Sequence, residues 1–368
     1  MSRPGPDVAI PRSMDEITPT WLTAALKAGG HDVNVASLGV VPIGVGVGIM
    51  SMVFRLTPTY DEGAGPASLV VKIAPPYEII RMIAAGYGMY KREVEIYREL
   101  SPELGFAPRF HYGAVDEETY DFVLIIDDLG HLRSTDQVQG CSIDDARHIV
   151  TALAKHHAQW WNSERLATLP YIQSAGAAPW PQFNDQSFKQ SWPVIVERFG
   201  ELVPERIAAI CEHWSDFGPV MMEDTVNHPV TLCHGDMRLD NIFFNEVSDS
   251  PITVVDWQIT NIGPGINDVA YFMSQSLTVD DRRAAEHELL GLYQANLVAL
   301  GVDYPFEDLW NDYRRCLVFC LTYPITAGAG ELANEHAFEL CRTILRRCVA
   351  AIIDTNADEV GPIRTPSH

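Results

Sequence analysis

The apolar pattern of this 368-residue chain changes period near residue 130. Before that point, short runs rich in Val, Ile and Leu recur at residues 33–41, 50–56, 68–73, 109–114 and 122–126, with turn-forming Pro58, Gly63, Gly65 and Pro66 between the second and third. Runs bounded in this way read as strands of a small sheet. Two helices belong with them. Thr18, Pro19 and the stripe Trp21, Leu22, Ala25, Leu26, closed by Gly29 and Gly30, give a cap, a first-turn proline and a terminal glycine. Residues 87–100 set Tyr90, Val94, Tyr97 and Leu100 at helical spacing. After residue 130 the helical period dominates, over 143–161, 187–214, 280–300, 306–321 and 335–353. The exception is 230–257, where β runs at 242–245 and 252–255 flank a turn-rich stretch and predict a hairpin. The chain therefore reads as α+β and bilobal: a small β-rich N-lobe over 15–129, a larger mainly helical C-lobe over 130–354, and loose tails at 1–14 and 355–368.

Charge narrows the partners. Lys and Arg number 26 against 49 Asp and Glu, a formal net charge of −23. Phosphate backbones and anionic lipid need clustered cations, so neither nucleic acid nor a membrane surface is expected as a partner. The N-terminus has no apolar run behind its early arginine, and the longest apolar stretch, 316–329, is interrupted by Pro324. A cytoplasmic protein without a membrane span is the expectation. Seven cysteines without a Cys-x-x-Cys pair predict free thiols, with Cys316 and Cys320 packed in the core.

The chemistry-bearing residues concentrate in LCHGDMRLDNIFFNEVSDSPITVVDWQ, residues 232–258. A hairpin register with Asn245 facing Ile252 sets Asn241 across from Asp256, with Cβ atoms about 4.5–5.5 Å apart. An amide oxygen and a carboxylate at that spacing can hold one hard cation, and Mg²⁺ suits them. Asp236, in the loop five residues ahead of Asn241, is placed as a general base. Two oxygen ligands hold Mg²⁺ weakly, which points to a phosphate donor bound with it. Upstream, Gly44, Gly46 and Gly48 join two β runs and leave backbone amides open to phosphate oxygens, although a plain strand turn has the same composition. Lys72 is a lone cation in an apolar strand whose facing the sequence leaves open. Glu93, on the next helix, is a carboxylate partner that would turn such a lysine toward phosphates, with Glu95 as its rival. His234 is read as structural. His156 and His157 sit in a helix where one of them must face inward.

The ordered set (glycine turn, strand lysine, helix glutamate, then Asp236, Asn241 and Asp256) resembles the aminoglycoside phosphotransferase and choline kinase superfamily, which shares the protein-kinase fold. The Leu232 to Asp236 opening, the Asp256-Trp257-Gln258 triplet and the long helical C-terminus are most similar to its ecdysteroid-kinase-like branch, and the likeness covers residues 20–350. The resemblance implies a two-lobed kinase that moves the γ-phosphoryl group of ATP to a hydroxyl of a small molecule. It implies Asp236 as catalytic base, Asn241 and Asp256 as Mg²⁺ ligands, and Gly46, Gly48, Ser51, Lys72 and Glu93 around the nucleotide. In FVLIIDDLG, residues 122–130, the backbone of Ile126 and Asp128 would meet the adenine edge. Asp268, in GPGINDVAYF, would have a capping or structural role. The chain departs from protein kinases in following its metal aspartate with Trp-Gln rather than Phe-Gly, and its loop glycines do not keep their strict spacing. A catalytically inactive nucleotide-binding module and a metal-dependent hydrolase built on His234 and Asp236 are the alternatives. The acceptor stays open between a cationic amino alcohol or aminoglycoside, favoured by acidity, and an apolar alcohol such as a steroid, favoured by the aromatic second part. A monomer or homodimer is expected.

Overall fold

The computed structural model describes residues 8–44, 50–245, 251–332 and 334–360. The chain divides into two compact units, Met1–Arg133 with Thr253–Ile259, and Ser134–Ile252 with Thr260–His368.

In the first unit, helix α1 (Pro19–Ala28) is followed by strands β1 (Asn34–Ile43), β2 (Met52–Glu62) and β3 (Leu69–Ile73). Helices α2 (Glu78–Gly86), α3 (Met89–Glu95) and α4 (Ser101–Leu104) come next, then strands β4 (Phe110–Asp116) and β5 (Asp121–Asp127). The five strands make one antiparallel sheet in the order β1-β2-β3-β5-β4. Thr18 caps α1 by accepting the Trp21 N–H, with Pro19 in the first turn. Trp21, Leu22, Ala25 and Leu26 of α1 form one core with Leu69, Val71 and Ile73 of β3 and with Val123 and Ile125 of β5. Side chains alternate along a strand, so Lys72 and its neighbour Leu124 lie on the other face of the sheet. On that face Phe122 stacks on Tyr90 of α3, ring centroids 4.0 Å apart.

Three expectations change here. Strand β2 runs on through Pro58 instead of turning there. Beyond Leu56, the partner of Leu69 at the start of β3, its ladder neighbour is β1, so a residue without an N–H is tolerated. The helix expected over 87–100 begins at Met89 and passes into a π turn at Ile96–Leu100. Residues 8–14 are not a loose tail: Val8 and Ile10 pack on the core, the Trp21 indole donates to the Ala9 carbonyl at 2.7 Å, and Arg12 pairs with Asp121 at 2.7 Å. Of the expected tail at 355–368, residues 355–358 are likewise tied down, with Thr355 and Ala357 buried and Asp358 paired with Arg206, and 361–368 lie outside the described residues.

The second unit holds α5 (Ile143–Trp160), α6 (Trp180–Phe199), α7 (Glu205–Glu212), α8 (Trp214–Glu223), α9 (Ile266–Ser276), α10 (Val279–Ala299), α11 (Phe306–Phe319), α12 (Thr322–Ala329) and α13 (Glu335–Asp354). The short strands of this part of the chain are β6 (Arg133–Ser134), β7 (Thr231–Cys233), β8 (Ile242–Phe244), β9 (Ile252–Val254) and β10 (Asn261–Gly263). Strand β7 pairs antiparallel with β10, Cys233 facing Asn261. Helix α9 is buried nearly all round, packed by α5, α10, α11 and α13. A helix without a polar face has no 3.6-residue stripe, which is why the sequence did not reveal it. The region 187–214 is more than one helix, because Gly200 and Pro204 interrupt the pattern before α7 starts. All seven cysteines are free and buried. No helix among the described residues is long and apolar enough to cross a membrane.

The segment 253–259 was expected in the helical lobe, yet it belongs to the first unit. Local bonds explain this. The Val254 N–H donates to the Phe106 carbonyl at 2.6 Å, the rings of Phe106 and Trp257 lie 5.6 Å apart, and Arg92 donates to the Gln258 carbonyl at 2.8 Å.

Candidate active site

Within the first unit, β3, α3 and the segment after β9 bring three charges together. The Lys72 ammonium donates to Glu93 Oε1 at 2.6 Å and to Asp256 Oδ1 at 3.1 Å. Glu93 is the partner, not Glu95, which pairs with Arg98. Burial alone would push the Lys72 ammonium down, but Asp256 and then Glu93 overcome it and hold it above its ordinary range. Burial pushes the Glu93 carboxyl up, against the pull of Lys72 and with the Asp256 charge adding to the rise. Burial is the largest influence on both: Lys72 rises in spite of it because two carboxylates answer one ammonium, and Glu93 rises with it because that ammonium is shared with Asp256. Glu93 Oε2 is buried without a hydrogen-bond partner. The Glu93 side chain is 1% exposed and that of Asp256 27%, so an incoming cation can reach Asp256 but not Glu93. Asp256 holds φ at +71°, a left-handed conformation uncommon for a residue with a side chain.

The remaining nucleotide-site candidates of this unit lie nearby in sequence but are held differently. Gly46 and Gly48 fall outside the described residues. Ser51 is half-buried, just before β2, and the preceding Met50 carbonyl accepts the Tyr90 hydroxyl at 2.8 Å. Ile126 lies in β5 between Val70 and Phe110. Asp128 follows the strand and binds Arg55 at 2.7 Å and the Ser68 hydroxyl at 2.5 Å. Burial works against its charge, but those donors hold its carboxyl below the usual carboxylate range.

In the second unit the loop after β7 is gripped from below. Asp268, fully buried in the first turn of α9, accepts the His234 N–H at 2.7 Å and the Gly235 N–H at 2.9 Å. His157 faces it at 3.3 Å and in turn meets the Tyr293 hydroxyl at 2.8 Å. Burial opposes the Asp268 charge, but His157 and these donors keep its carboxyl below its ordinary range. Asp268 is thus structural and not a cap, since the N-cap position of α9 is Gly265. His234 accepts the Asp236 N–H on Nδ1 at 3.2 Å, a structural use of the ring. Further along the loop the Leu239 N–H binds Gln137 Oε1 at 2.7 Å, and Arg347 of α13 donates to the Gln137 carbonyl at 2.7 Å.

Asp236 itself is held on both oxygens. Asn241 Nδ2 donates to Oδ2 at 3.0 Å and to the Asp236 carbonyl at 3.0 Å, and the Tyr271 hydroxyl donates to Oδ1 at 2.8 Å. Arg238, paired with Asp240, places a guanidinium charge close by. Burial would pull the guanidinium down, but Asp236 and Asp240 hold it protonated above its ordinary range. With its amide nitrogen turned to Asp236, Asn241 has a carbonyl oxygen as its other polar atom. That is the atom type a hard cation takes. The donor set therefore fits Mg²⁺ on Asn241 and Asp256 as residue types. Among the described residues no group of three or more His, Cys, Asp or Glu could hold a metal ion.

The proposed hairpin register is corrected. The Asn245 N–H donates to the Pro251 carbonyl at 2.8 Å, one residue out of the Asn245–Ile252 register. Strand β8 begins at Ile242 and β9 ends at Val254, so the ladder includes neither Asn241 nor Asp256. Asn241 is instead set by the 3₁₀ turn Leu239–Asn241, and Asp256 by its left-handed backbone. Sequence reasoning missed Tyr271, Gln137 and Arg347. Tyr271 lies three residues after Asp268, on the same helix face, and that spacing was a readable signal.

A small antiparallel sheet carrying a buried Lys–Glu pair, with a larger helical unit carrying an Asp–Asn loop, defines a protein-kinase-like fold. The sequence pattern of the ecdysteroid kinase-like family matches residues 46–302, more than half of the chain, and the chain belongs to that family. It is 23% identical over 311 residues to an uncharacterized kinase-like protein of Caenorhabditis elegans, which covers 75% of this chain and 77% of that one. Among solved structures it is similar to choline kinase from Cryptosporidium parvum, with a TM-score of 0.60, 12% identity, and 94% and 95% of the two chains covered. It is also similar to a candidate aminoglycoside phosphotransferase from Ralstonia eutropha, with a TM-score of 0.55, 15% identity, and 93% and 97% covered. At such identities these two likenesses carry the fold.

Proposed function

We propose that the protein is an ATP-dependent small-molecule kinase that transfers the γ-phosphoryl group to a hydroxyl of its acceptor. The observation that carries this reading is Lys72, a buried ammonium on a sheet strand held by a helix carboxylate and by Asp256 together. A hydrolase built on His234 and Asp236 has no use for that lysine.

In this reading Lys72, oriented by Glu93, binds the phosphates, and backbone groups at Gly46, Gly48 and Ser51 cover them. The backbone of Ile126 and Asp128 meets the base, and Asn241 and Asp256 hold Mg²⁺. The cation, when bound, neutralises charge on the phosphate oxygens. Asp236 takes the acceptor's hydroxyl proton as that oxygen bonds to the γ-phosphorus. The bond from the γ-phosphorus to the β–γ bridging oxygen breaks and ADP leaves. Positioning and charge neutralisation provide most of the acceleration.

The acceptor we favour is an alcohol carried on an apolar ring system. Tyr271, which touches Asp236, lies 4.1 Å from the Tyr323 ring, and Phe319 meets Tyr323 edge-on at 6.0 Å. Tyr323 and Phe319 are partly exposed, and an aromatic run of this kind suits apolar rings better than a polycation. Neither nucleic acid nor a membrane is part of the reading, and a cytoplasmic monomer or homodimer suffices.

The test is incubation with Mg-ATP and a library of sterols, amino alcohols, sugars and aminoglycosides, read by mass spectrometry, with Asp236→Asn as control. A phosphorylated product should form with the unmutated chain, and Asp236→Asn should lower the rate by about 10²–10⁴-fold while Mg-ATP still binds. Nucleotide binding without any product would favour the inactive-module reading, and loss of nucleotide binding in Asp236→Asn would remove that residue from the role of base.

A further inference from the structure

The two donors on Asp236 come from different places. Asn241 belongs to the same loop, five residues on, and ties Asp236 only to that loop. Tyr271 reaches in from α9, a helix buried nearly all round and therefore the more rigid support. One turn earlier the same helix carries Asp268, whose carboxylate holds the loop through the His234 and Gly235 N–H groups. Helix α9 thus grips the loop's backbone with one side chain and its carboxylate with another. The Tyr271 ring is 5% exposed and set against Tyr323, so the phenol has little freedom to leave. Burial, and then the Asp236 charge, push the phenol well above its ordinary range, which keeps it a donor. An ionised carboxylate offers about four acceptor sites, and Asn241 and Tyr271 fill one on each oxygen.

We propose that Tyr271 is a positioning residue for phosphoryl transfer: its hydroxyl fixes the rotation of the Asp236 carboxylate, so that the lone pair receiving the acceptor's proton is aimed by α9 before the acceptor arrives. This rests on the reading of Asp236 as the base. Without the phenol the carboxylate can pivot about its Asn241 bond, and a misaimed base slows the chemical step without weakening nucleotide binding.

Tyr271→Phe removes one oxygen and keeps the ring on Tyr323. Crystal structures of the full chain and of this variant should show the Asp236 carboxylate rotated or split between two orientations in the variant, with the Asp268 bonds to His234 and Gly235 intact. Turnover of Mg-ATP, with the acceptor found in the library or with water where none is taken, should show kcat lowered by about tenfold to a hundredfold, with KM for ATP and Tm unchanged. A role in packing alone predicts no change in kcat, because Phe packs the same ring. An Asp236 carboxylate in the same orientation in both crystals, or a kcat within twofold of the unmutated chain, overturns the proposal. Absence of turnover in the unmutated chain sinks the kinase reading, while the crystals still decide whether Tyr271 sets Asp236. Turnover with an unmoved carboxylate sinks this inference alone.

Discussion

At Lys72 one ammonium answers two carboxylates, whereas at Asp236 one carboxylate is met by two neutral donors with an arginine close by. The first cluster carries an excess charge and an unpartnered Glu93 oxygen. The second has a donor on each oxygen, and its loop is bonded to α9 beneath. Burial makes the first arrangement costly and the second rigid. In the proposed kinase reading, a site that receives a polyphosphate with its cation can tolerate missing positive charge until they bind. A base that must meet a hydroxyl at a set angle cannot wait to be oriented.

The contrast predicts unequal responses to substitution. Lys72→Met keeps the side chain's length and removes the only charge that the two carboxylates share, leaving Glu93 buried and unpaired. Urea unfolding should show a loss of about 3–5 kcal/mol. A loss under about 1 kcal/mol would mean that the cluster is not under electrostatic load. Asp268→Asn tests the rigid side. It places an amide NH₂ where a carboxylate oxygen now accepts a backbone N–H, so one of the His234 and Gly235 donors faces another donor. Stability should fall by about 3 kcal/mol, read in the same way, and amide exchange at Gly235 should accelerate. Unchanged exchange there would remove Asp268 from the role of anchor.

How far the two clusters were legible in the sequence follows the same division. Lys72, Asp236, Asn241 and Asp256 stood out as charged or amide side chains in an apolar run or around a turn-rich hairpin, and Glu93 as a carboxylate on the next helix; the structure brings Lys72, Glu93 and Asp256 together in one unit and Asp236 with Asn241 in the other. The facing of Lys72 was open because an isolated strand has no inside. The α1 core settles it by claiming Leu69, Val71 and Ile73. Gln137 and Arg347 stayed hidden because their roles depend on long-range packing of α13 and the segment before α5, whereas Tyr271 could have been read from its spacing after Asp268. The hairpin register failed for a local reason: a 3₁₀ turn and a left-handed aspartate replace the ladder just where it was extrapolated.

A smaller effect probes the support under the Asp236 loop. His156, buried in α5, donates from Nε2 to the Leu232 carbonyl at 2.8 Å, directly below the loop. Burial pulls its imidazolium down to about 3, and His157 adds to that pull more than Asp268 offsets it. The unfolded chain binds a proton at this residue below about pH 6.5, and the folded chain does not until about pH 3. Between those values the unfolded state holds more protons, so stability falls as pH drops below about 6.5 and is flat above it. From pH 7.5 to 5.0 the loss from this residue is about 2 kcal/mol. His156→Gln keeps a donor for Leu232 and cannot titrate, so its urea midpoint should fall less over that interval. Parallel pH slopes in the two proteins would assign the acid sensitivity elsewhere.

The smallest effect separates the clusters most sharply, because it comes from deleting a charge inside an ion pair. Glu93→Gln removes one carboxylate from the excess, and its amide still offers an oxygen to the Lys72 ammonium. The other carboxylate, Asp256, continues to pair the lysine at 3.1 Å. Removing one partner of a buried pair ordinarily costs several kcal/mol because a charge is stranded. Here none is stranded, so fold stability should change by less than about 1 kcal/mol in either direction, while Mg-ATP affinity falls because the ammonium is drawn to Asp256 and away from the phosphates. Calorimetric titration beside urea unfolding reads both. A loss of 3 kcal/mol or more in stability would show that Lys72 depends on Glu93 alone, and that the two clusters differ less than their geometry implies.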